Sequence, residues 1–174
     1  MKAIFFAVGA LGILAPLLAA PNPADTDIRN YKRWSVANEN AVKMSDIVSA
    51  LCAPATLKQS ASTAKESPHR QYFLRAYVND IGEKQFLHKA NPYMPVGTII
   101  VKEKLASVAD KHHVLCTVMT KRERGYDSTH GDWEYSLVDA NGTVKEKGRI
   151  TRCISCHDEQ KSTDYLFRSY FQVK

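Results

Sequence analysis

From residue 71 to residue 150 apolar and polar side chains alternate with the period of two that marks half-buried β-strands. In Gln71–Val78 the apolar set is Tyr72, Leu74, Ala76 and Val78, and Asn79-Asp80-Ile81-Gly82 then supplies a turn. Gly97–Leu105 places Ile99, Val101 and Leu105 on one face and Thr98, Ile100, Lys102 and Lys104 on the other. Val114–Arg122 and Asp132–Asp139 read as two more strands, and Ala140-Asn141-Gly142 is a hairpin signal that returns the chain through Thr143–Ile150. Trp133 and Tyr135 alternate with Asp132 and Glu134, which assigns the aromatics to packing; Phe73, Phe86, Phe167 and Tyr170 are candidates to line a ligand pocket and are read as core in preference.

The ends of the chain have a different pattern. Asp25–Leu51 reads as a loop entering a short helix, capped by Ser45 and carrying Asp46, Ile47, Val48 and Leu51. Residues 54–70, rich in Ser, Ala, Thr and Lys, read as an exposed loop. Ser162, Thr163 and Asp164 can cap a last helix bearing Tyr165, Leu166, Phe167, Tyr170 and Phe171. Four or five antiparallel strands with helices at both ends define an α+β domain, mainly antiparallel sheet. No internal repeat is visible.

Lys2, the apolar run Ala3–Leu18 and the small pair Ala19-Ala20 follow the order of a secretory signal peptide, residues 1–20. An uncleaved membrane anchor is the competing reading, but the run is short for a span and contains Gly9, Gly12 and Pro16. Residues 21–174 then form one exported, periplasmic domain with enough chain for a core. The whole chain has a net charge of +6, scattered in mixtures such as Lys121-Arg122-Glu123-Arg124. Such a surface is compatible with an acidic redox partner or an anionic membrane, and nothing in it resembles a nucleic-acid module.

Cys153-Ile154-Ser155-Cys156-His157 carries the chemistry. The pattern C-x-x-C-H attaches haem c: the thiols form thioethers to the two vinyl groups, and the adjacent imidazole is the proximal iron ligand. A zinc site would need a second ligand pair at comparable spacing, and the sequence has none. The remaining cysteines, Cys52 and Cys116, are either a disulfide or two separately buried thiols. Met44, Met94 and Met119, or His69, His88, His112, His113 and His130, are the side chains from which a sixth iron ligand would come; each is otherwise core or surface.

Met94-Pro95-Val96-Gly97-Thr98-Ile99-Ile100-Val101-Lys102-Glu103-Lys104, Gly131-Asp132-Trp133-Glu134-Tyr135, the haem motif and Asp164-Tyr165-Leu166-Phe167-Arg168 resemble the cytochrome P-460 family in order and spacing. The early region from Tyr31-Lys32-Arg33-Trp34 to Cys52 also matches. The resemblance implies a mainly antiparallel sheet and one pentacoordinate haem c in a pocket. It also implies a function: oxidation of hydroxylamine or, as in the cytochromes c′-β, binding of nitric oxide. In the hydroxylamine-oxidising members a lysine amine is bonded to a meso carbon of the porphyrin, and the matching position is Lys102. Its strand face, shared with Thr98 and Ile100, allows it to enter a semi-apolar pocket where burial favours the neutral amine. An ordinary solvated lysine beside Glu103 and Lys104 is the other reading. Those members also use a distal carboxylate, for which Glu146, on the strand before the motif, is the candidate.

Three functions follow in order. The first is oxidation of hydroxylamine or a related small nitrogen species, with electrons passed to a periplasmic acceptor. The second is nitric oxide binding without turnover, and the third is simple electron transfer with Met or His as sixth ligand. Oligomeric state is not encoded legibly; a homodimer is one option.

Overall fold

The computed structural model describes residues 28–45, 72–171 and 173. The expected leader (residues 1–20), the helix after Ser45, the loop 54–70, Cys52 and His69 lie outside the described residues. Within them, a 3-10 helix (Ile28–Arg33) leads into β1 (Ser35–Val36) and β2 (Val42–Lys43). There follow β3 (Phe73–Val78), α1 (Asp80–His88), β4 (Ile99–Leu105), β5 (Leu115–Lys121), β6 (Trp133–Asp139) and β7 (Val144–Gly148). A second helix, α2 (Thr151–His157), runs directly into another 3-10 helix, Asp158–Thr163.

The described strands form a seven-stranded antiparallel sheet, and the α+β expectation is met. β3 to β7 run as a meander, while β1 and β2 pair with the two ends of the outer edge of β3. The central register sets Ala76 opposite Lys102 and Lys102 opposite Thr117. The β6–β7 hairpin is made as the Asn-Gly signal predicts, with Asp139 accepting from the backbone N–H groups of Asn141 and Thr143, both at 2.9 Å.

Alternation along the strands supplies two cores, one per face. On one face Ala76, Val78, Ile100, Met119, Trp133 and Tyr135 pack with Phe86 and Leu87 of α1, Met94 and Leu166. On the other, Tyr77, Ile99, Val101, Cys116, Val118 and Val138 pack beneath Tyr31. Both faces of β4 and β5 are therefore covered, so polar residues in these strands are buried as well: Glu103 is 1% exposed and Lys104 8%.

Two expectations are corrected. Asn79-Asp80-Ile81-Gly82 opens a helix rather than closing a turn. Asn79 caps it by accepting from Gly82 N (3.3 Å), and the same side chain bonds the β4 entrance at Ile99 N and Gly97 O. Gly82 is required there, because a Cβ would meet Thr98 Cγ2 at 2.4 Å. The helix forecast over Tyr165–Phe171 is absent: after the 3-10 turn, Asp164 and Tyr165 take left-handed backbone angles and the rest of the segment is irregular. Asp164 is drawn into an ion pair with Lys121 instead of capping, and Leu166 is buried in the core from a loop. Tertiary contacts have overridden local propensity.

Candidate functional site: a cavity between the sheet and the C-x-x-C-H helix

α2 forms because Arg149-Ile150 ends the last strand and Ile150 O accepts from both Cys153 N and Ile154 N, closing the first turn. Helical spacing then brings Cys153, Cys156 and His157, at i, i+3 and i+4, to one side. All three line a cavity of about 300 Å³ between this helix and the sheet. Its walls also include Lys102, Met119 and Tyr135 from the strands, Met44 and Leu74 at the outer edge, and Phe167 and Tyr170 from the last segment.

His157 is held on three sides. Tyr135 and Phe167 lie with ring centroids 5.3 and 5.1 Å from its imidazole. Its Nδ1 is 2.6 Å from the Tyr165 carbonyl oxygen, which can only accept, so Nδ1 carries the proton and Nε2 is left with its lone pair. Burial, reinforced by the positive charge of Lys102, lowers its pKa to about 4, so the ring is neutral over the physiological range. A neutral imidazole with Nδ1–H bonded to a carbonyl is the form an axial ligand requires.

The Lys102 amine enters the same space, 4.9 Å from the Tyr170 ring centroid and 5.9 Å from that of Phe167. Of the two readings open for this lysine, the cavity-facing one is the geometry found. Burial and Glu159 raise the Cys156 pKa, and Lys102 partly offsets them. Cys153 and Cys156 are not in disulfides.

The remaining candidates scatter. Glu146 stands opposite Leu137 on β7, and its carboxylate is 2.5 Å from Arg152 Nη2. Arg152 lines the cavity and Glu146 does not. Met44 and Met119 line it too, whereas Met94 is buried elsewhere and none of His88, His112, His113 and His130 reaches it. His113 is 3.1 Å from the Tyr31 hydroxyl, and His130 pairs with Asp127 at 2.9 Å. Cys116 carries a thiol, not a disulfide, and donates to Tyr31 Oη at 3.8 Å.

Tyr135, Phe167 and Tyr170, read as packing from sequence, are cavity walls. Register would have found the first: Tyr135 lies opposite Met119 on the Lys102 face. Lys104, two residues from Lys102, lies on the same face and lines the cavity by the same rule.

The residues present fit a haem. Two thiols and a neutral imidazole share one wall, the surroundings are largely aromatic and aliphatic, and the Tyr135 and Tyr170 hydroxyls are buried without a partner among the described residues. Such groups call for a polar partner that the described residues do not provide. The fold and site define an α+β haem-binding domain. The sequence model of the cytochrome P460 family matches residues 28–168, and the chain belongs to that family. A comparison with curated proteins found no match.

Proposed function

We propose that the chain is an exported, periplasmic c-type cytochrome with one covalent haem, an open iron position, and the ability to oxidise hydroxylamine or a related small nitrogen species. The observation that carries this reading is the meeting of Lys102 with Cys153, Cys156 and His157 in one cavity. When bound, the haem supplies a redox-active iron that accepts electrons from the nitrogen ligand. Cys153 and Cys156 would hold the haem through thioethers, each thiol adding across one vinyl double bond. His157, oriented by the Tyr165 carbonyl, would offer Nε2 to the iron. Lys102 would present its amine to the haem from the opposite wall, where a covalent link to the ring would require loss of one N–H and one C–H hydrogen to an external two-electron oxidant. Glu146 enters only through Arg152, which it holds at the cavity wall. Substrate electrons leave to a periplasmic acceptor.

A second reading, nitric oxide binding without turnover, is favoured by a different observation: no described residue lining the cavity is a carboxylate, so a proton-accepting group for hydroxylamine is not among them. The ferrous optical spectrum and a peptide map separate the two. A strongly red-shifted Soret band and haem attached to the Lys102 peptide are expected for the first. An ordinary haem c spectrum with an unmodified Lys102 peptide would leave the second.

A further inference from the structure

Asp164 at φ 53° and Tyr165 at φ 65° are consecutive non-glycine residues in the left-handed region. Residues with a Cβ enter that region at a cost and stay only where their surroundings impose it. Here the surroundings converge on Asp164. Lys121 Nζ lies 2.7 and 2.8 Å from its two carboxylate oxygens, and both side chains are only 6% exposed. Met94 N donates to Asp164 Oδ2 at 2.7 Å, and Trp133 Nε1 donates to the Asp164 carbonyl at 2.9 Å. The lysine is further enclosed by the Trp133 and Tyr93 rings, at 5.0 and 5.2 Å from their centroids.

What the strained pair achieves is local. Had the chain continued as a helix, the Tyr165 carbonyl would point along the axis toward an N–H four residues on. The left-handed turn instead sends it back to α2, 2.6 Å from His157 Nδ1. Donation from Nδ1–H raises the basicity of Nε2, so the strength of that hydrogen bond governs how much electron density the imidazole gives to iron.

We propose that Asp164, clamped by Lys121, is a positioning residue for the axial imidazole: the buried ion pair fixes the left-handed turn that aims the Tyr165 carbonyl at His157 and thereby tunes the iron. The inference rests on His157 being the proximal ligand. A strong acceptor at Nδ1 favours ferric iron and lowers the reduction potential, so loosening the clamp raises it.

The test uses the holoprotein with Asp164→Asn and the double variant Lys121→Met/Asp164→Asn. Midpoint potential, the iron–histidine stretching band of the ferrous protein by resonance Raman, and thermal midpoint are measured on each. Asp164→Asn is expected to shift the potential upward and the stretch to lower frequency. The double variant leaves no stranded buried charge and so regains thermal stability while keeping both shifts; it decides the matter if the single variant folds poorly. Wild-type potential and stretch in a folded variant would overturn the proposal. So would shifts that vanish in the double variant in step with regained stability, which is what a purely structural ion pair predicts. Absence of any iron–histidine band in a five-coordinate ferrous wild type would instead remove the assignment of His157 on which the inference stands.

Discussion

Glu103 lies directly behind the site. It follows Lys102 in β4, so its side chain points to the opposite face, where it is 1% exposed. Tyr31 Oη donates to its Oε1 at 2.5 Å and Tyr77 Oη to its Oε2 at 3.2 Å. Burial, with Cys116 and Glu103 nearby, raises the Tyr31 pKa far above its ordinary value, so the phenol remains a donor. Replacing Glu103 with Leu removes both bonds to the carboxylate and leaves the buried Tyr77 hydroxyl without its acceptor, a desolvation cost of about 1–3 kcal/mol. Tyr31 retains His113 Nδ1 at 3.1 Å, which limits the loss on its side. Lys32, half-exposed at 3.5 Å, adds little to the account. The expected loss is about 3 kcal/mol, a large share of the ~5–15 kcal/mol that holds such a domain together. Urea unfolding of the holoprotein, followed by far-ultraviolet circular dichroism, measures it. Adding Tyr77→Phe to Glu103→Leu should recover about 1 kcal/mol, because the hydroxyl that lost its carboxylate acceptor is gone. A loss below about 1 kcal/mol, or a double variant less stable than the single, would refute the view that this carboxylate anchors the back of the site.

Replacing Cys153 or Cys156 with Ala should weaken haem retention on denaturing gels, and replacing both should abolish it; unchanged staining in the double variant would contradict thioether attachment. Burial chiefly pushes the Cys116 pKa up to about 12 from an ordinary value of 9.0. The unfolded thiol therefore loses its proton first, and the stability it contributes is complete below about pH 9 and falls by about 1.4 kcal/mol per pH unit toward pH 12. Urea midpoints at pH 8 and pH 10.5 should thus diverge less in Cys116→Ala than in the wild type. Gly131, at φ 70°, would place a Cβ 2.5 Å from the Tyr165 ring, so Gly131→Ala should lower stability by about 2 kcal/mol and shift the thermal midpoint down; an unchanged midpoint would show that the ring yields freely.

The sheet was legible because its long strands alternate and its last hairpin has an Asn-Gly turn, both signals of near neighbours. The C-x-x-C-H pattern stood out because attachment chemistry would fix residue type and spacing together, and the fold brings its three side chains to one cavity. What escaped was set by distant partners. Asn79-Asp80-Ile81-Gly82 contains a helix cap and turn residues in the same four letters, and burial of Phe86 and Leu87 decides for the helix. Asp164 carries equal local credentials as a cap and as an ion-pair partner; Lys121, on a strand 43 residues away, settles it.

The triplet Lys102-Glu103-Lys104 shows where pattern reading reverses itself. Three consecutive charges normally signal a solvated edge, and on that rule Lys102 would be an ordinary surface lysine. In the structure β4 is an inner strand with both faces covered, and each charge has a buried destination. Glu103 meets two tyrosine hydroxyls behind the sheet; Lys104 lies 4.1 Å from the Tyr72 ring centroid at the cavity wall; Lys102 enters the aromatic cluster beside His157. Burying charge is unfavourable unless each group is met by a partner, so a charged triplet kept on an inner strand marks a site assembled from both faces. Glu103 fastens β4 from behind, and Lys102, the next residue, is thereby held at a fixed reach into the cavity. The stability of the back face and the chemistry of the front therefore share one strand. If that coupling holds, Glu103→Leu should lose stability and also broaden or diminish the spectroscopic signature attributed to Lys102, although the two side chains point away from each other.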